Sequence, residues 1–74
     1  MEGAMRQVAL RIDGMHCGHC VEAVRRALSQ VDGATVTRVE IGEAHVGLPA
    51  DISVDPVVAA VERAGYRVSA VEAA

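Results

Sequence analysis

At Gly14 the hydrophobic period of this chain changes from that of a strand to that of a helix. From Arg6 to Asp13 apolar and polar residues alternate, with Val8, Leu10 and Ile12 on one side and Gln7, Arg11 and Asp13 on the other. That is the pattern of a half-buried strand. From about Cys17 to Gln30 the apolar set Cys20, Val21, Val24, Ala27, Leu28 and Val31 follows helical spacing instead. Glu22, Arg25, Arg26 and Ser29 form the outer face of that helix, with Glu22 placed to pair with Arg25 or Arg26. Asp32-Gly33 is expected to end it, since glycine suits the left-handed turn after a last helical residue.

The same alternation of periods then runs again in a different order. Thr35 to Ile41 is β-branched and alternating, with Thr37, Val39 and Ile41 opposite Val36, Arg38 and Glu40. Gly42-Glu43 is expected as a two-residue hairpin turn of type II′, glycine first. Ala44, Val46 and Leu48 alternate on a returning strand that Pro49 stops, with His45 on its outer side as a solvated surface residue. Asp55-Pro56 predicts a helix start, with aspartate as the capping acceptor and proline at the first helical position. Val57, Val58, Val61 and Ala64 make its apolar stripe and Gly65 closes it. Tyr66 to Val71 is the last strand, alternating as Tyr66, Val68 and Ala70. The order β-α-β-β-α-β predicts an α+β, ferredoxin-like sandwich, a four-stranded antiparallel sheet with two helices on one face. With 74 residues there is room for one domain, expected over residues 5–72.

Composition narrows the function. A chain this short buries only ~60% of its unfolded surface, so the core is thin and a roomy substrate pocket is not expected. With no Trp, no Phe and one Tyr there is no platform on which bases could stack. Ten acidic residues against seven arginines, a net charge of −3, argue against nucleic acid. No apolar stretch approaches the ~18 residues of a membrane span, so no membrane insertion is expected. No secretory signal is visible at the start, and a cytoplasmic location is expected, where thiols stay free. The chain therefore reads as a non-enzyme whose two cysteines carry most of the information.

Those cysteines lie in Asp13-Gly14-Met15-His16-Cys17-Gly18-His19-Cys20, at the junction of strand and helix. Cys17 is expected in the exposed loop and Cys20 in the first helical turn, close enough for both sulfurs to converge on one atom. Unpaired N–H groups and the positive end of the helix dipole favour thiolate there. A disulfide across so short a loop would restrain the unfolded chain little. Glycines at 14 and 18 and the helix-start position favour metal binding over an incidental pair. Soft thiolates select soft ions, Cu(I) first and Hg(II) by the same preference. Two ligands rather than four leave a bound ion open to a third sulfur, which suits delivery better than structural support.

Gly14-Met15-x-Cys17-x-x-Cys20 after a first strand resembles the heavy-metal-associated domain family, which includes small copper chaperones, mercury-binding relatives and modules of copper-transporting P-type ATPases. Val31-Asp32-Gly33, Gly42-Glu43-Ala44 and Ala64-Gly65-Tyr66 also fall where that family has similar residues, so the resemblance spans roughly Met5 to Val71. It implies Cys17 and Cys20 as metal ligands, with Met15 packed beneath the loop rather than bound to the ion. His19 and Tyr66 match the bacterial branch, whereas His16 stands where threonine is commoner. With two imidazoles beside two thiolates, Zn(II) gains further donors. His16, His19, Met15 and Tyr66 are therefore auxiliary candidates; Met15 reads better as core filler and the two histidines as exposed neighbours. Tyr66 is expected to cap the core with its hydroxyl near the site.

The resemblance implies a Cu(I) chaperone that passes its ion by thiolate exchange to a copper-transporting P-type ATPase. The expected state is a monomer without metal and a metal-bridged dimer with it. Arg25 and Arg26 lie near enough to the loop to touch a docking partner. The alternatives are a mercury(II)-binding protein, a module of a larger transporter or reductase, and a dithiol redox protein using Cys-Gly-His-Cys. Against the last, no Trp precedes the motif, and Pro49 and Pro56 offer no obvious proline facing the cysteines.

Overall fold

The computed structural model describes residues 5–73. Its elements run β1 (Met5–Asp13), α1 (Gly18–Ser29), β2 (Thr35–Glu40), β3 (Glu43–Pro49), α2 (Asp55–Arg63) and β4 (Arg67–Ala73). The strands form one antiparallel sheet in the order β2-β3-β1-β4. α1 lies against β2, α2 against β4, and the helices touch each other. This is the expected ferredoxin-like sandwich, with the two halves of the chain interleaved so that β1 is central.

The period of each element explains its packing. Val8, Leu10 and Ile12 of β1 meet Ala44, Val46 and Leu48 of β3 and the stripe Val24, Leu28 of α1 and Val57, Val61 of α2. Leu10, Leu28 and Leu48 are fully buried at the centre. No described polar side chain is buried, so the core carries no unpaired polar cost. On the open face, the Thr37 hydroxyl donates to Gln7 Oε1 (3.3 Å), and Gln7 lies across Gly47 to reach it.

Several local expectations are corrected. In β2 the register shifts between Val36 and Arg38, leaving Thr37 unpaired. That bulge turns Val36 as well as Val39 toward the core while Thr37 is exposed, so valine replaces threonine inside. The hairpin turn is Ile41-Gly42, because Glu40 pairs with Glu43. Gly42 (φ +88) is its second central residue, and no described non-glycine residue has positive φ, which is the type II pattern rather than II′. Ile41 consequently leaves the strand and stands 56% exposed.

α1 ends at Ser29, and Gly33 serves a separate turn in which the Ala34 N–H bonds to the Val31 carbonyl (3.2 Å). Glu22 makes no ion pair; among the described residues the pairs are Arg38–Glu40 and Glu43–His45. At α2 the Val54 carbonyl accepts the first helical bonds, from Val57 and Val58, so Asp55 already sits inside the first turn. No side chain caps the helix at Val54; the Ser53 hydroxyl, one residue earlier, accepts the Asp55 N–H at 3.1 Å. His45 lies on the outer face as expected, yet it is half-buried and bonded to Glu43 (3.0 Å) rather than simply solvated.

The end of α2 aims the chain at the cysteine loop. The Gly65 N–H bonds to the Glu62 carbonyl (3.0 Å) and the Tyr66 N–H to the Val61 carbonyl (3.3 Å). Gly65 takes φ +101 between them. This pair of bonds is a Schellman closure, which reverses the chain and sets Tyr66 ahead of β4. No helix of the described residues is long and apolar enough to cross a membrane.

A side chain at position 65 would force an L-residue into left-handed backbone, at a cost of ~1–2 kcal/mol. Gly65→Ala should therefore lower the denaturant midpoint by that equivalent without changing the slope. An unchanged midpoint would contradict the role given to this closure.

Candidate metal centre

β1 ends at Asp13, and Gly14 turns the chain with φ +98. The next residue, Met15, drops into the core, only 6% exposed. Its thioether accepts the Gly42 N–H (3.4 Å), while the Gly42 carbonyl takes the Ile12 N–H (2.9 Å). The loop is thus fastened below to the tip of the β2–β3 hairpin. Pinned there, it rises to present His16, Cys17, Gly18 and His19, all exposed.

Cys17 caps α1 in extended backbone (φ −157, ψ −178), and its carbonyl accepts the N–H groups of Cys20 (3.0 Å) and Val21 (3.3 Å). Its side chain makes no capping hydrogen bond, so the sulfur is not spent on the helix. Cys20, three residues on and half-buried, lies in the first turn. Both thiols are free.

The surroundings of the two sulfurs differ, Cys17 being exposed and Cys20 half-buried. The Cys20 thiol is lowered from an ordinary 9.0 to about 7. The largest cause is the main-chain N–H of His16, which points at its sulfur from 3.4 Å; the Tyr66 hydroxyl comes next, then the Cys17 N–H, with burial working the other way. Tyr66 is raised in turn, chiefly because its hydroxyl donates toward Cys20 and also through burial and the two nearby thiolates. Near neutrality Cys20 is therefore roughly half ionised before anything binds. The Cys20 thiol is lowered, as expected, but the leading cause is the loop amide of His16 rather than the amides of the helix start. The amides of Cys20 and Val21, at the third and fourth positions of α1, are already bonded to the Cys17 carbonyl.

The auxiliary candidates divide by position. Tyr66 is half-buried, with its ring against Gly14 (Cδ1 3.6 Å from where a Cβ would stand) and its hydroxyl toward Cys20. Met15 is core. His16 contributes its main chain, and its ring, like that of His19, is in an exposed position. Among the described residues no three His, Cys, Asp or Glu side chains converge as a metal-ligand cluster. The arrangement offers two sulfurs, one exposed and one backed by hydrogen-bond donors. Residue-by-residue reading missed the His16 N–H and the Gly42 N–H because both are backbone groups, which residue type does not mark; the tight Gly14 turn was the available signal.

Residues 9–67 match the heavy-metal-associated domain model. The chain is 38% identical over 68 residues to the copper chaperone CopZ of Bacillus subtilis, covering 88% of this chain and 99% of that protein. The crystal structure of oxidized MerP from Ralstonia metallidurans superposes with a TM-score of 0.77 at 35% identity, over 89% of this chain and 96% of MerP. The water-soluble region of the P-type ATPase CopA from Bacillus subtilis shares the fold, with a TM-score of 0.78 at 22% identity, over 92% of this chain and 47% of that one.

Because the Tyr66 hydroxyl donates toward Cys20, Tyr66→Phe should move the Cys20 titration upward from about 7, while the remaining His16 N–H keeps it below the ordinary thiol value. Ultraviolet thiolate absorbance followed across pH reads that midpoint. A midpoint that stays in place would show that the hydroxyl does not act on the sulfur.

Proposed function

The chain belongs to the heavy-metal-associated domain family, and on that premise we propose that it is a carrier of soft metal ions, not an enzyme. Cys17 and Cys20 are the ligands, Cu(I) is the cargo, and the domain comprises residues 5–72. Its acceptor is the metal-binding domain of a copper-transporting P-type ATPase, and transfer takes place in the cytoplasm, where thiols remain reduced.

The observation that carries this reading is the pairing of an exposed Cys17 thiol with a Cys20 thiol held near pH 7, chiefly by the His16 N–H. A thiol that ionises near neutrality releases its proton easily to a soft cation. Two soft donors suit Cu(I), and an exposed pair leaves room for an entering thiolate. Met15 and Tyr66 hold the loop and the Cys20 sulfur, while the rings of His16 and His19 stay outside the coordination shell. Similarity to the copper chaperone of Bacillus subtilis supports copper as the cargo; Hg(II) and Zn(II) are the competitors. The bound form can also bridge two copies through the exposed loop.

Cys17→Ser and Cys20→Ser should each weaken Cu(I) binding by more than about 100-fold, beyond what loss of an outer-shell partner costs. Anaerobic competition with a colorimetric Cu(I) chelator measures this. Unchanged affinity in either variant would overturn the ligand assignment, and preference for Hg(II) or Zn(II) under the same competition would overturn the cargo.

A further inference from the structure

Gly18 has no reason inside the fold to be glycine. Its φ does not lie in the left-handed region, unlike Gly14, Gly33, Gly42 and Gly65. A Cβ added to it would meet nothing within 4 Å, unlike Gly47, where Gln7 Nε2 stands at 3.0 Å. It is the first residue of α1, and glycine is the poorest helix former short of proline. Alanine at 18 would therefore fit the backbone and the space and favour the helix. Of the described glycines this one alone is explained neither by conformation nor by contact.

Its position supplies the reason. Gly18 follows Cys17 and precedes His19 and Cys20, on an exposed stretch between the two thiols. A missing side chain that leaves open space within its own chain makes room for another chain. We infer that Gly18 is a clearance position: the bare backbone between the cysteines lets the thiolate-bearing loop of a second protein reach the metal. This rests on the carrier reading above and names what that carrier must admit, a macromolecular acceptor arriving directly over the loop. The exposed Ile41 stands beside Gly42, which is tied to Met15 and Ile12 beneath the same loop.

The step requires that approach. An entering thiol loses its proton to solvent and its sulfur forms a bond to Cu(I). A Cu–S bond to Cys17 or Cys20 then breaks, the leaving thiolate keeping its electron pair and taking up a proton. Copper remains Cu(I) throughout, and no oxidant or reductant takes part. Three sulfurs must gather about one ion, so added bulk between the first two obstructs a bulky donor more than a small one.

The test compares Gly18→Ala, Gly18→Leu and the unaltered chain in two exchanges. In one, Cu(I) passes from a loaded copy to an isotope-labelled metal-free copy of the same chain. In the other it passes to a small dithiol. The expected result is Cu(I) affinity and thermal midpoint as high as in the unaltered chain or higher, with exchange to the small dithiol unchanged. Exchange between copies should slow with side-chain size, modestly for Ala and on the order of 10- to 100-fold for Leu, the range a misplacement of about 1 Å carries. Equal slowing by Ala and Leu would overturn the inference in favour of loop flexibility. Undiminished exchange between copies in both variants would overturn it outright. Loss of Cu(I) affinity in the Gly18 variants alone would show that Gly18 shapes the site itself. If the unaltered chain failed to bind Cu(I), the carrier reading would fall before this one was reached.

Discussion

Burial of Met15 is the constraint on which the rest of the cysteine loop depends. A loop between a strand and a helix carries few contacts of its own, and the exposed or half-buried residues around two thiols would not hold a geometry unaided. Met15 supplies the anchor by filling the core beneath the loop, and its sulfur takes the Gly42 N–H. The hairpin that offers this N–H is fixed by the Gly42 carbonyl on the Ile12 amide. The loop therefore inherits its position from three strands at once, β1 below and the β2–β3 hairpin beside it. The thioether is flexible enough to seat itself in such an irregular gap.

Rigidity beneath the loop gives the two sulfurs different characters. Cys20 is backed by the His16 N–H and the Tyr66 hydroxyl, and Tyr66 is delivered to it by the Schellman closure of α2. Cys17 sits at the helix cap with its thiol exposed. One sulfur is prepared by its surroundings and the other is presented to solvent. In the carrier account this asymmetry lets a cation be held firmly enough to keep and openly enough to surrender. A closed four-ligand shell would secure the ion but shut out the entering donor.

Much of this was legible before the structure. The element order and the core of Val8, Leu10, Ile12, Val24, Leu28, Val46 and Val61 follow from period alone, because burial imposes a period on strands and helices. What period could not show was a change of parity. The bulge at Thr37 adds a residue to β2 and lets both Val36 and Val39 face inward, a choice set by β3 and the helices rather than by neighbouring residues. The turn moved to Ile41-Gly42 for a similar reason: Gly42 has main-chain partners on β1 and in the loop, far away in sequence. The cap of α2 passed from Asp55 to Val54 because one residue of shift exchanges a capping position for a helical one. At the cysteine loop the side chains were readable and the amide that tunes Cys20 was not.

The central claim is a two-sulfur shell that no imidazole completes. X-ray absorption at the copper edge, on the reduced protein loaded with one Cu(I) per chain, tests it most directly. The account predicts two sulfur neighbours, from Cys17 and Cys20, and no nitrogen scatterer. A nitrogen neighbour lost on substitution of His16 or His19 would contradict it.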